Sequence, residues 1–140
     1  MIANEKINIL KKIGIFETLT AEEFSALEKI VVIEEVQANT VVFSEGDRSQ
    51  HFYVIIQGTV KILKYLPSTE MVELSTLKQY TPFGEMSFLT GIARTAMAKA
   101  VEPSLLFKID KPNFEKFIGF HSQAGYKIME QFLKISILRL

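Results

Sequence analysis

No cysteine occurs among the 140 residues. Disulfides, thiolate metal sites and cysteine nucleophiles are excluded together. Nor does either sign of charge prevail: 16 Lys and Arg face 16 Asp and Glu. Nonspecific polyanion binding rests on many phosphate contacts, so such a balance argues against it. One small anion held at one place remains compatible. Long apolar runs are missing as well, and stretches such as YVII are far too short to span a bilayer. The N-terminal MIANEKINILKK carries Glu5 and no apolar h-region, so no signal peptide is expected and a soluble cytoplasmic protein is the default. Low-complexity segments, internal repeats and long linkers are absent too. A single domain over residues 1–140 is therefore expected, with enough chain to bury a core.

Catalytic signatures are equally scarce. There is no G-x-S-x-G elbow and no Walker loop. His51 and His121 lack carboxylate or histidine neighbours at ligand spacing, and SEGDRSQ falls short of a calcium loop. No metal site and no cofactor are expected. No helix-turn-helix pattern is present, so neither nucleic-acid nor membrane binding is expected of this chain.

What is present divides into three textures. Residues 1–30 read as helical: in LTAEEFSALEKI, Thr20 and Glu23 form a capping-box pattern, followed by Phe24, Leu27 and Ile30 at helical spacing. Residues 31–109 read as short strands rich in β-branched and aromatic residues, separated by turn signals at Ala38-Asn39, Glu45-Gly46-Asp47, Gln57-Gly58, Pro67-Ser68 and Glu102-Pro103. Gln57-Gly58 fits a two-residue hairpin loop. Many short strands indicate an antiparallel sandwich, roll or barrel. Residues 110–140 turn helical again. Asp110 can cap a helix that tolerates Pro112 in its first turn and stops at Gly119. A last helix starts near Ser122 with Tyr126, Met129, Phe132 or Leu133, Ser136 and Leu140 along one stripe, and further apolar residues beside it. That is more apolar surface than a solvent-facing helix needs. Either it packs on the roll and a partner chain, or the natural helix continues beyond Leu140.

The stretch PFGEMSFLTGIARTA places opposite charges in an apolar setting. Gly84 suggests unusual dihedrals or a close backbone approach. Glu85, Met86, Phe88 and Leu89 can form one or two helical turns that Gly91 ends. A helix start presents amide donors and a positive dipole end to an anion, and Arg94 returns to the same neighbourhood. A guanidinium converging with amides suits a phosphate. Glu85, an acceptor, suits a hydroxyl on the same ligand, such as one of a ribose. Ala96, Ala98 and Ala100 then alternate, so something bulky must lie against that strand face, the short helix or a flat ligand. From the residues alone a second reading stands beside this one, in which Glu85 and Arg94 are a structural ion pair sealing a β-roll.

The chain resembles the cyclic nucleotide-binding domains of catabolite-activator-type regulators, cyclic nucleotide-dependent kinases and gated channels. The resemblance runs from IGIFETLTAEEFSALEKI through TVVFSEGDRSQHFYVIIQGTVKILK to the phosphate-binding cassette FGEMSFLTGIARTA. It implies a mainly β fold, a jelly-roll β-roll (double-stranded β-helix) with an N-terminal helix and two C-terminal helices. It also implies roles: Gly84 and the amides of Glu85, Met86 and Ser87 line the cassette helix start, the Glu85 carboxylate accepts from the ribose 2′-hydroxyl, and Arg94 pairs with the cyclic phosphate, helped by Thr95. Gly46 and Gly58 match turn glycines of the fold. Ala93 stands where the family often has proline before the arginine, and no motif in the last helix identifies the purine contact. The expected function is a non-catalytic sensor of cAMP or cGMP, with cAMP ahead of cGMP. Its output would pass through movement of the C-terminal helices and through a homodimer or partner protein bound at the last one. The alternative is a degenerate β-roll serving as an interaction module without ligand.

Overall fold

The β-branched and aromatic segments form eight strands in two four-stranded sheets. A computed structural model describes residues 1–48, 50–68 and 70–139. One sheet contains β1 (Val32–Val36), β8 (Ser104–Asp110), β3 (His51–Gln57) and β6 (Pro82–Phe83), in that order. The other contains β2 (Thr40–Phe43), β7 (Met97–Ala100), β4 (Val60–Tyr65) and β5 (Met71–Leu77). The described pairings are antiparallel. This is the jelly-roll arrangement that the resemblance implies. The strand block Val32–Lys108 is one compact unit, and Met1–Val31 with Ile109–Leu140 is a second.

The inner faces of the two sheets meet in a single apolar cluster. Val36, Tyr53, Ile55, Phe83 and Leu106 come from one sheet, and Val60, Ala98 and Ala100 from the other. This settles what lies against the alanine face of β7. It is the opposing sheet, with its large Tyr53 and Phe83, and neither the short helix nor a ligand is needed to fill the space. Ala96 precedes β7 and is half-exposed.

The connection at Gly58 corrects the hairpin reading. β3 and β4 lie in different sheets, so the chain crosses from one to the other there. Gly58 has φ +101°, and a Cβ on it would lie 2.7 Å from Ser104 Cβ and 2.8 Å from Ser104 Cα. The residue is a glycine because the corner turns into a left-handed conformation directly against another backbone. The small strand β6 is also absent from the sequence expectation, because two residues give no period to read.

In the helical unit, α1 (Ala3–Leu10), a 3₁₀ turn (Gly14–Phe16) and α2 (Ala21–Glu28) replace the single N-terminal helix expected. The Thr20–Glu23 capping box is present with both bonds. α4 (Lys111–Phe120) begins at Asp110, whose carboxylate accepts from Asn113 N–H at 2.8 Å. It runs through Gly119 and ends at His121. α5 (Ser122–Leu138) buries Ala124, Gly125, Ile128 and Phe132. Tyr126, Met129, Leu133 and Ile137 form its exposed row, and Leu140 lies outside the described residues. Glu23 Oε1 accepts both from Thr20 N–H at 2.8 Å and from Lys127 Nζ at 2.9 Å, which ties α2 to α5. No described helix is long and apolar enough to cross a membrane.

Two outcomes follow. Gly58→Ala should cost about 2–4 kcal/mol of stability, from strain and overpacking together. Gly46→Ala, at φ +89° with no atom within 4 Å of the added Cβ, should cost only the strain, about 1–2 kcal/mol. Urea denaturation of both variants checks the difference. Burial pushes the Glu23 carboxyl up, but the Thr20 amide and the Lys127 ammonium outweigh it and hold the pKa below 4.5. A lowered pKa contributes stability above the ordinary carboxylate range, and this is lost as pH falls through the lowered value. Glu23→Gln should therefore flatten the acid limb of stability below pH 4.5.

Candidate phosphate-binding cassette

Phe83 ends β6, and the chain then enters α3 (Glu85–Thr90) through Gly84. Gly84 adopts φ +79°, ψ 6°, a left-handed conformation open to glycine at little cost. A Cβ on Gly84 would lie 2.7 Å from Arg94 Nη1, so the expected close approach is also present. The first i→i−4 bond of α3 runs from Phe88 N–H to Gly84 O at 3.3 Å. The amides of Glu85, Met86 and Ser87 precede that bond, in the first turn where intrahelical acceptors are lacking. Gly91, at φ +76°, ends the helix as expected. Phe88 anchors it edge-on to Phe52 of β3, with centroids 5.0 Å apart.

Arg94 is 5% exposed and Glu85 is 2% exposed. The Arg94 guanidinium donates from Nη1 to Gly84 O and from Nη2 to His51 O, both at 2.6 Å. Its Cζ lies over the Phe43 ring, 3.9 Å from the centroid. Nε is buried and has no hydrogen-bond partner among the described residues. Burial lowers the Arg94 pKa, and the charges of Tyr53, Glu85 and Asp47 oppose that shift. Arginine titrates so far above neutrality that the group stays cationic.

The backbone of Arg94 is clamped by the loop after β2. Its N–H donates to Asp47 O at 2.8 Å, and its carbonyl accepts from Gly46 N–H at 2.7 Å. Asp47 shapes that loop by accepting Ser44 N–H on Oδ2 at 2.8 Å, a turn device. Thr95 is exposed, and its carbonyl accepts from Lys64 Nζ at 3.0 Å. Lys64 Nζ also lies 3.7 Å from Glu45 Oε1.

Of the predicted residues, Gly84 and Arg94 are in direct contact. Glu85 is buried at the start of α3, whereas Met86 and Thr95 are exposed and Ser87 is half-exposed. Sequence reasoning missed Phe43, Asp47, Lys64 and the His51 carbonyl. Three of these act through position in the fold or through a backbone atom, which no residue type announces. Among the described residues, no group of three His, Asp or Glu is placed to hold a metal. An open groove lined by Glu35, Gln37, Gln57 and Pro103, among others, shares no residue with the cassette.

A jelly roll with a short glycine-flanked helix and a buried arginine defines a class, and comparison with known proteins bears on which. The family model for the cyclic nucleotide-binding domain matches residues 33–119. The chain belongs to that family. It is 30% identical over 115 residues to the cGMP-dependent protein kinase egl-4 of Caenorhabditis briggsae, and 28% identical over 116 residues to the cGMP-dependent protein kinase, isozyme 1, of Drosophila melanogaster. Each match covers 81% of this chain but only 15% of the kinase. A solved cyclic nucleotide-binding domain from Methylobacillus flagellatus superposes with a TM-score of 0.85 at 21% identity, covering 98% of this chain and 77% of that one. At that identity the likeness establishes the fold.

Gly84→Ala should cost about 1–2 kcal/mol through its dihedral alone. It should also drive the guanidinium off at least one carbonyl. Chemical denaturation measures the first effect, and the side-chain ¹H–¹⁵N signal of Arg94 reports the second.

Proposed function

We propose that this chain is a sensor for a 3′,5′-cyclic purine nucleotide, cAMP or cGMP, and performs no chemistry on it. The observation that carries the reading is the state of Arg94. A guanidinium is taken out of water, held at two corners by carbonyls and left with its Nε donor unspent beside the first turn of α3. Membership of the cyclic nucleotide-binding family supports the same reading. A structural pair with Glu85 stands beside this reading: the Glu85 charge favours the Arg94 cation, but the guanidinium hydrogen bonds at Nη1 and Nη2 go to backbone carbonyls.

In this reading the guanidinium and the amides of Glu85, Met86 and Ser87 hold the cyclic phosphate. Glu85 accepts from the ribose 2′-hydroxyl, and Thr95 lies next to Arg94 at the exposed rim. A guanine preference resting on one neutral Thr95 hydrogen bond is worth about 0.5–1.5 kcal/mol, so cAMP and cGMP should bind within about tenfold of each other. The helices after Ile109 share one compact unit with Met1–Val31. The ligand shifts them only by its differential affinity for two states. The exposed row Tyr126, Met129, Leu133 and Ile137 on α5 is the proposed output surface, met by a second copy or a partner protein.

Titration calorimetry and melting of the full chain with cAMP and with cGMP test this. The melting midpoint should rise with ligand, because binding to the native state alone stabilises it. Arg94→Lys keeps the charge and loses the fork, and should weaken binding by about 10- to 100-fold, the scale of one charge-assisted hydrogen bond. An identical melt with and without millimolar nucleotide would sink the sensor reading.

A further inference from the structure

The Phe43 ring lies beneath Cζ of Arg94, whereas the two carbonyls hold the edges of the guanidinium. A planar fork needs three constraints: a position, a rotation within its plane, and the plane itself. The carbonyls of Gly84 and His51 supply the first two by holding Nη1 and Nη2. Neither carbonyl prevents the group from tilting about the line between them. The Phe43 ring does, because Cζ lies over it, only 3.9 Å from its centroid.

Phe43 reaches that place through an irregularity. Along β2 the register passes from Val41↔Lys99 to Phe43↔Ala98, so two residues advance on β2 against one on β7. In a regular strand neighbouring side chains face opposite ways. Here both Val42 and Phe43 pack against the core, as a bulge permits. The ring is then backed by two others: Tyr53, with centroids 6.2 Å away, and Phe83, at 6.1 Å. Those two stack on each other at 5.1 Å and 14°. They are also the paired residues of β3 and β6. His51 lies two residues before Tyr53, and Gly84 one residue after Phe83. The two strands that brace the ring therefore also deliver both carbonyls, so ring and clamp form one rigid assembly.

We infer that Phe43 is a positioning residue: its ring fixes the plane of the Arg94 guanidinium and thereby sets how tightly the site holds a cyclic phosphate. This rests on the sensor reading above. The ring also keeps water from one face of the cation, so the remaining N–H groups meet an anion in a less polar setting. Cation–π attraction of this kind accounts for about a 5- to 30-fold change in affinity.

The test uses Phe43→Leu and Phe43→Tyr in the full chain, with cAMP and cGMP as probes and the Arg94 Nε–H signal as a second readout. A proton over an aromatic face is shifted upfield. Phe43→Leu should lose that shift and bind the nucleotide about 5- to 30-fold more weakly. Phe43→Tyr, which keeps the ring, should retain both. A Phe43→Leu variant that melts cooperatively and binds like the wild type overturns the inference while the sensor reading stands. So does a Phe43→Tyr variant as weak as Phe43→Leu, since that pattern reports general damage to the core. A wild-type chain that binds neither nucleotide overturns the sensor reading, and this inference with it.

Discussion

A guanidinium buried in a protein keeps its charge and loses its water, so acceptors must be waiting for it. Much of the β unit can be read as the means of providing them. Arg94 is 5% exposed, and the desolvation cost of such a group amounts to several kcal/mol unless it is compensated. Two short charge-assisted bonds to carbonyls and one aromatic face supply the compensation. None of the three comes from a carboxylate. Carbonyl dipoles hold the cation at its edges, and the charges of Glu85 and Asp47 favour its charged state besides.

That requirement explains local features which look unrelated. Gly84 lacks a side chain because Nη1 occupies the space a Cβ would need. Its carbonyl serves both Arg94 and the first turn of α3, so the start of the helix and the arginine are fixed by one atom. The loop after β2 grips the Arg94 backbone from the other side through Gly46 and Asp47. The bulge in β2 turns Phe43 beneath the side chain. Removing any one of these leaves the others aimed at a group that has moved.

Much of this was legible in the sequence because it is local. Gly84 and Gly91 bracket six helical residues, Thr20 and Glu23 announce a cap, and Asp110 with Pro112 announces another. In each case the physical cause lies within four residues of its effect. The misreadings share the opposite property. Gly58 marks a turn, but whether the next strand pairs with the last one or crosses to the other sheet is set by pairings with strands far along the chain, such as β4 with β7. The alanines of β7 require a large neighbour, yet residue types alone do not say that it is the facing sheet. The His51 carbonyl is invisible because every residue has one. Phe43 reads as an ordinary core aromatic until the bulge and the arginine are seen together.

A rigid seat also constrains how a signal can leave the site. If Arg94 is held at two corners and one face, a bound phosphate gains little by moving it, so the arginine is a poor candidate for the moving part. In the sensor reading proposed above, the ligand's differential affinity would then arise at another part of the site. α3 is the element next to Arg94: its first turn shares the Gly84 carbonyl with the guanidinium, and its six residues run on to Gly91 with Met86 exposed. A shift of a two-state balance from 1:99 to 99:1 needs about 5.5 kcal/mol of preference for one state. Charge-assisted bonds to the amides of α3, formed in one state and absent in the other, would be worth about 1.5–3 kcal/mol each, so about two to four of them would suffice. In that reading a fixed arginine and a helix whose amides gain bonds on occupancy would divide the work: the first would set the affinity, and the second would convert occupancy into a local change.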